Sequence, residues 1–435
     1  MISLIAQDAP AATLAPENTL TFSEVIAPYM PVFFVAFIVA LILTPIMRSL
    51  ATHNNVVDKP DLVRKNHIQA VAYLGGVAIF FGWLAGVFMG YFTEPHESMT
   101  LVSLSYVNFP GWVIFGAGII CLTGLIDDVY SLSPRIKVAG QLFGAAMLAH
   151  ENVGTQIVHE LTVATEQTTG FAFPIPDAIM TAPYGLEYWL GAALIAFLVL
   201  GACNALNLID GLDGLAGGVT VISATGFLII AALVALQTQD AQIVAEGVLS
   251  HPIRIVMCLA IIGAVLGFLP YNFNPATIFM GDAGSLLLGY LCIATILMFA
   301  TVPGKALLLV TASLITFAVP ITDTSLAIFR RKMRGQPLFS PDSQHIHHLL
   351  RRAGLSVKQA VLVMYLAAAS FAAIGCAMVA YEIRWRYALA AFIVLYAFIM
   401  VTAYKYGEHQ WLLEKMKDQD TDSEPDADPD APPAA

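Results

Sequence analysis

The chain has 435 residues, 58% of them hydrophobic and only 12% charged, whereas a soluble domain carries about 25% charged residues. A water-soluble enzyme, a disordered chain and a nucleic-acid-binding protein are therefore excluded, and a polytopic membrane protein remains. The net charge of −11 comes largely from the terminal DQDTDSEPDADPDAPPAA, which reads as a solvated, disordered tail.

The first 25 residues lack a basic stretch followed by a long apolar core, so no cleaved signal peptide is expected there. A span needs ~20 mostly apolar residues. About eleven such stretches follow in chain order: 28–49, 72–92, 111–126, 138–150, 187–206, 219–237, 253–270, 284–301, 306–328, 360–381 and 387–404. No internal repeat suggests the inverted halves of a transporter. The expected fold is an all-α integral membrane protein. It has an extracytoplasmic lead (1–27), a transmembrane domain (28–405) and an acidic tail (406–435). The five cysteines lie in or at the ends of the apolar runs and show no CxxC or Cys/His metal spacing, so they read as small packing residues.

Lysine and arginine set the orientation. With the N-terminus outside, sixteen of the 20 fall on the cytoplasmic side, leaving Arg254, Lys305, Arg384 and Arg386 outside. The C-terminus is then cytoplasmic. The polar residues that interrupt the spans all fall on that same side, although they played no part in setting it.

The first group is CLTGLIDDVYSLSPRIKVAGQ, 121–141. Adjacent carboxylates at the end of an apolar helix repel each other. They persist as solvated helix-end groups, or with a cation or proton joining them. Arg135 and Lys137 follow, suited to phosphate. The second is NALNLIDGLDGLAGG, 204–218, where Asn204 and Asn207 share a helix face and the helix is expected to end near Leu208. The glycines beyond let backbone approach a ligand closely. Such oxygen donors suit a hard cation, although a plain turn also favours Asn and Gly. The third, LPYNFNPATIFMGDAGSLLLGY (269–290), puts Asp282 at a helix start, where capping alone could account for it. Phe279 there packs or stacks on a base. The fourth, PITDTSLAIFRRKMRGQPLFSPDSQHIHHLLRRAG (320–354), carries Asp323, arginines and an HxHH cluster, which reads as phosphate or sugar contact more readily than as a zinc site. Carboxylates, amides, glycines, arginines and histidines on one face are equipment for a Mg²⁺–diphosphate substrate.

In this order the four groups, together with DKPDLVRKNHIQAVAYLGG at 58–76, resemble the polyprenyl-phosphate N-acetylhexosamine-1-phosphate transferases over about residues 25 to 405. HIHHLLRRAG resembles the WecA-type branch rather than the MraY-type, where an acidic residue follows consecutive histidines. The resemblance implies transfer of GlcNAc-1-phosphate from UDP-GlcNAc to undecaprenyl phosphate, with release of UMP, at the cytoplasmic face of a bacterial inner membrane. It implies Mg²⁺ on Asp282 and Asp210, with Mn²⁺ a substitute, and catalytic roles for Asp127, Asp128 and Asp210. Asn204, Asn207 and Asn272 would line the nucleotide site, Asp213 line it or hold its loop, and Phe279 stack on uracil. Lys59, Arg64, Lys65 and His67 would form a basic rim near the lipid phosphate, and Lys137 would bind substrate. Arg330, His345, His347 and His348 would bind phosphates and the acetamido sugar. The partners implied are UDP-GlcNAc, undecaprenyl phosphate and the lipid bilayer, with no nucleic acid; a homodimer is left open. The first loop departs from the pattern in AVAYLGG, which lacks the usual prolines, and Ser343 stands where a basic residue is common. Two alternatives stand beside this reading. One is the same chemistry on a phospho-MurNAc-pentapeptide or other UDP-HexNAc donor. The other is an ion-coupled transporter, which needs ionisable residues near mid-span.

Overall fold

The computed structural model describes residues 21–58, 71–93, 110–171, 175–181, 184–237, 251–302, 304–333, 335 and 345–405, save 388, 395, 399 and 403. Within these residues the chain is almost wholly helical. It runs α1 (Phe22–Ile26), a 3₁₀ turn (Ala27–Tyr29), α2 (Met30–His53), β1 (Val57–Asp58), β2 (Val71–Ala72), α3 (Gly75–Gly90), α4 (Gly111–Tyr130) and α5 (Pro134–His150). There follow α6 (Gln156–Thr169), α7 (Asp177–Met180), α8 (Leu186–Ile209), α9 (Leu215–Gln237), α10 (His251–Asn272) and α11 (Gly281–Met298). The rest is α12 (Ala306–Thr316), α13 (Ala318–Met333), α14 (Ile346–Arg352), α15 (Val357–Ala380) and α16 (Trp385–Thr402).

Each of the eleven apolar stretches carries helix. Among the described residues eight helices are long and apolar enough to cross a membrane, nine if the bent pair α12–α13 counts as one. Three of the eleven expected stretches stand apart from those eight. α3 has 16 residues and α5 has 17, so each reaches roughly 25 Å at 1.5 Å per residue, short of a ~30 Å hydrocarbon core. The ninth stretch breaks at Phe317, where α13 turns 72° from α12. Pro320 falls in the first turn of α13, where N–H groups have no partner within the helix, so it starts the second half without loss.

α11 is the axis of the bundle. Its sequence is apolar on every side, so it must be surrounded, and every residue in it is buried except Asp282. The helices around it approach through glycine. A Cβ on Gly76 of α3 would overlap the backbone at Ala283–Gly284, one on Gly124 of α4 the backbone at Asp282–Ala283, and one on Gly289 of α11 the backbone of Ala202 and Cys203 in α8. Small residues bring helix backbones together in lipid, where no hydrophobic effect does so. The same device joins α2 to α10, where Gly263 and Gly267 meet Ala36 and Ala40. At the far end Arg254 is fully buried and its Nη1 donates to the carbonyl of Met298 (2.9 Å), so a cation closes the C-terminus of α11.

At the other end a small β structure fixes the entry to α3. β1 and β2 pair antiparallel, and Ala72 bridges to Ile278. The N–H groups of Gly75 and Gly76, at the start of α3, donate to the carbonyls of Phe279 (3.0 Å) and Met280 (2.9 Å). The paired glycines of the first loop therefore dock on the chain just before Asp282.

The contact at Gly124 yields a test. Gly124→Ala must push α4 off α11, and overpacking of this kind costs about 1–3 kcal/mol. Gly118→Ala on the same helix meets only a Phe80 ring carbon at 3.8 Å. The melting temperature in detergent should fall for Gly124→Ala and hold for Gly118→Ala; equal values would contradict this packing.

Candidate active site

The two adjacent aspartates of α4 are separated by function. Consecutive helical residues point in different directions, and here each carboxylate finds its own partner. Asp128 accepts from the backbone N–H of Asp282 (2.8 Å) and of Ala283 (3.1 Å), so it caps the N-terminus of α11. Gly281, at φ +66°, turns the chain against this carboxylate, and a side chain there would collide with it. Asp127 instead accepts from the Leu132 N–H (2.7 Å) through Oδ1 and pairs through Oδ2 with Lys137 Nζ at 2.6 Å. The same ammonium lies 2.6 Å from Asp282 Oδ2. Asn207 Nδ2 donates to the remaining oxygen of Asp282 (2.7 Å) and to Ser285 Oγ (3.0 Å). The short 131–133 turn, with Ser131 left-handed at φ 53° and Pro134 opening α5, brings Lys137 back beside Asp127.

The loop after α8 is held by its own polar residues. Asp210 is the C-cap of α8, and Asp213 Oδ2 accepts from Asn274 Nδ2 (2.9 Å) and the Ala276 N–H (3.0 Å). Asn272 is 2% exposed and spends both ends of its amide on structure, accepting from the Gly214 N–H (3.0 Å) and donating to the Ile278 carbonyl (3.0 Å). Tyr365 of α15 donates to the Gly214 carbonyl at 2.6 Å. Burial first, then the charges of Asp282, Asp128 and Asp213, hold the Asp210 carboxyl well above the usual carboxylate range. Burial works against the Lys137 ammonium, but hydrogen bonds to Asp127 and Asp282 outweigh it and raise its pKa above the ordinary lysine value. Asn204 does not join this group. Its amide donates to Gln141 (2.9 Å) and to the Leu200 carbonyl (2.7 Å), so it ties α8 to α5.

The histidines sit on α14, opposite the acidic loop. Asp323, fully buried in α13, accepts from the Ile346 N–H (2.7 Å) and lies 2.8 Å from His345 Nδ1, so it caps α14 and fixes the first histidine. The His347 ring lies parallel to His345 (interplanar 6°) and close to His348, with centroids 4.3 Å apart. It is buried, and neither ring nitrogen has a hydrogen-bond partner. Its Nε2 faces Gly211, where a Cβ would come within 2.6 Å. Burial, first, and then the neighbouring His348 push its pKa down to about 3, so the ring is a neutral wedge under the Asp210–Gly214 loop. Arg330 is also buried, in the last turn of α13. Among the described residues no three His, Cys, Asp or Glu side chains are placed to hold a metal ion, so the HxHH run does not form a zinc centre.

These parts surround a cleft of about 890 Å³. Asn207, Asp210, Asp213, Asn272, Phe279, Asp282 and His348 line it, as the sequence predicts. Arg330, His345, His347, Asn204 and Asp128 do not line it; they pack behind it, for the reasons just given. Asp127 and Lys137 do not line it either, but the Lys137 ammonium joins Asp127 to Asp282, which does. Lys59, Lys65 and His67 fall outside the described residues. Among the lining residues outside the expected set, Arg351 and Arg352 close the wall beside His348, and Asp58 and Tyr73 stand beside Phe279. The Tyr73 and Phe279 rings form a corner, 6.1 Å apart and tilted by 52°. Tyr73 is hydrogen-bonded to Asp58, and burial, followed by that carboxylate, raises its pKa.

The donor set fits Mg²⁺. That ion takes one or two carboxylates and completes its octahedron with water and substrate phosphate, rather than with an all-protein cage. Asp282 and Asp210 offer hard oxygens on the cleft, and Lys137 already holds a positive charge between Asp127 and Asp282. The carboxylates collect at one end of the bundle rather than along a path through it, which does not favour a transporter.

Comparison with known proteins gives the family. A Bacillus subtilis protein described as a probable undecaprenyl-phosphate N-acetylglucosaminyl 1-phosphate transferase is 37% identical over 335 residues, covering 77% of this chain and 80% of its own. The chain belongs to the polyprenyl-phosphate N-acetylglucosamine-1-phosphate transferases. The family profile described as Glycosyl transferase family 4 matches residues 111–300, the stretch from α4 through α11 that carries the acidic groups. An Escherichia coli undecaprenyl-phosphate alpha-N-acetylglucosaminyl 1-phosphate transferase is 30% identical, covering 75% of this chain and 78% of its own. A Mycobacterium tuberculosis decaprenyl-phosphate N-acetylglucosaminephosphotransferase is 31% identical, covering 76% and 78%.

The buried His347 predicts a pH signature. Its folded pKa of about 3 lies below the ordinary value of 6.5, so the unfolded chain binds the extra proton. Stability is whole above about pH 6.5 and is lost as pH falls toward 3, by about 1.4 kcal/mol per unit. The melting temperature should fall more steeply between pH 7 and pH 5 for the unmodified protein than for His347→Gln. Parallel slopes would mean that the ring does not titrate on unfolding.

Proposed function

We propose that this protein transfers GlcNAc-1-phosphate from UDP-GlcNAc to undecaprenyl phosphate, at the cytoplasmic face of a bacterial inner membrane. One observation carries the site assignment: Asp282, the single unburied residue of α11, is presented to the cleft beside Asp127, Lys137 and Asn207. An oxygen of the lipid phosphate attacks the β-phosphorus of the donor; the bond from that phosphorus to the bridging oxygen breaks, and UMP leaves with the electron pair. Asp282 and Asp210 would hold Mg²⁺, or Mn²⁺ in its place, which would supply positive charge to the diphosphate and the leaving phosphate. Asp127 faces the acceptor phosphate and orients it, whereas Asp128, with its oxygens on the α11 backbone, is kept for the scaffold. Asn207 orients the Asp282 carboxylate. Phe279 stacks on uracil and Tyr73 closes the corner against the edge of the base. His348, Arg351 and Arg352 face the phosphates and the acetamido sugar from the opposite wall. Undecaprenyl-diphosphate-GlcNAc is the product, the first lipid-linked intermediate of a surface polysaccharide.

The test is transfer of radiolabel by purified protein supplied with Mg²⁺, undecaprenyl phosphate and UDP-GlcNAc. Labelled lipid should form with the unmodified protein and not with Asp282→Asn. Tyr73→Ala should raise the KM for the donor about tenfold, a loss of ~1.4 kcal/mol, while the KM for the lipid holds. Product from UDP-MurNAc-pentapeptide alone would overturn the donor assignment, and full activity of Asp282→Asn the metal assignment.

A further inference from the structure

The position of Lys137 carries a consequence for metal binding, given the reading that Asp282 holds a divalent cation. Each of the two carboxylates it bridges has one oxygen tied to structure. Asp127 Oδ1 accepts from the Leu132 N–H (2.7 Å), and Asp282 Oδ1 accepts from Asn207 Nδ2 (2.7 Å). The other oxygen of each, Oδ2, is the one that faces Lys137 Nζ, at 2.6 Å in both cases. A cation reaching Asp282 on its Oδ2 side, at roughly the 2.1 Å of a Mg–O bond, would enter the volume of the ammonium. Two positive charges cannot share it in a half-buried setting, where screening is weak. The lysine can yield. Its side chain is 29% exposed and sits in the first turn of α5 on a flexible four-carbon stem.

We propose that Lys137 is an internal competitor of the divalent cation: its ammonium and the metal contend for Oδ2 of Asp282. Metal binding then releases the lysine beside the diphosphate, where its charge meets the phosphoryl oxygens. The competition keeps the acidic cluster neutralised and reserves tight metal binding for the moment when the donor brings phosphate for the lysine to turn to. Lys137 is thus a positioning residue for the metal site as well as a phosphate contact.

The experiment is Mn²⁺ binding to the full chain in detergent, without donor or lipid, followed by the electron paramagnetic resonance signal of free Mn²⁺. Lys137→Met should bind Mn²⁺ about tenfold or more tightly than the unmodified protein, because one opposing charge is gone. Lys137→Arg, which keeps the charge, should stay close to the unmodified affinity. Asp282→Asn should lose the site. A purely structural role for Lys137 would move the first result the other way, since loss of a structural contact loosens a site. If Lys137→Met binds no more tightly while Asp282→Asn still abolishes binding, the competition is wrong and the metal assignment stands. If Asp282→Asn binds like the unmodified protein, or if no form binds Mn²⁺, the metal assignment fails and the competition with it.

Discussion

The site depends on one carboxylate that faces no substrate. α11 runs through the middle of the bundle with its N-terminus surrounded by protein, and the first N–H groups of any helix have no partner within it. Left bare in so dry a place, each would carry a desolvation cost of about 1–3 kcal/mol. Asp128 removes that cost by accepting two of them, from Asp282 and Ala283. The bond requires α4 to lie directly against α11, which glycine at 124 allows, and it requires the chain to turn into the helix at Gly281. Once these are met, Asp282 can only point into the cleft. The positive end of the helix dipole favours the Asp128 carboxylate in this place.

The rest of the polar cluster divides along the same line. Asp213 and Asn272 lash the acidic loop to the segment before α11, Asp323 caps the histidine helix, Asn204 binds α8 to α5, and His347 fills the space under Gly211. These side chains hold the wall. Asn207, Asp210, Phe279, Asp282 and His348 face the cleft with Tyr73 and the two arginines of α14, and Lys137 ties Asp127 to Asp282 beside it. Buried polar groups are tolerated in such a protein because they are hydrogen-bonded, and the geometry they fix gathers the carboxylates at one end of the bundle.

Much of this was legible in the sequence. The apolar stretches, the placement of the acidic groups at one end of the bundle and the end of α8 near the asparagines follow from hydropathy and from helix-end chemistry. Helix length and continuity did not follow, because hydropathy measures apolarity alone: α3 and α5 are short, and the ninth stretch bends between α12 and α13. Which member of a motif touches ligand and which touches backbone was equally hidden. Asp127 and Asp128 are chemically identical neighbours, and only the arrival of α11, some 154 residues later, gives them different duties. Tyr73 and Asp58 escaped for a related reason. Each is unremarkable in its own loop and becomes part of a site only because Ala72 bridges to Ile278.

The division between the adjacent aspartates is the central claim, and a paired measurement tests it directly: melting temperature and lipid-linked product for Asp127→Ala and Asp128→Ala side by side. Asp128→Ala strips two charge-assisted bonds from a buried helix end, worth about 1.5–3 kcal/mol each, and should melt well below the unmodified protein. Asp127→Ala should melt close to it and form no product. If Asp128→Ala keeps its stability and loses only transfer, or if Asp127→Ala is the one that unfolds, the carboxylate at 128 is not the anchor of the site.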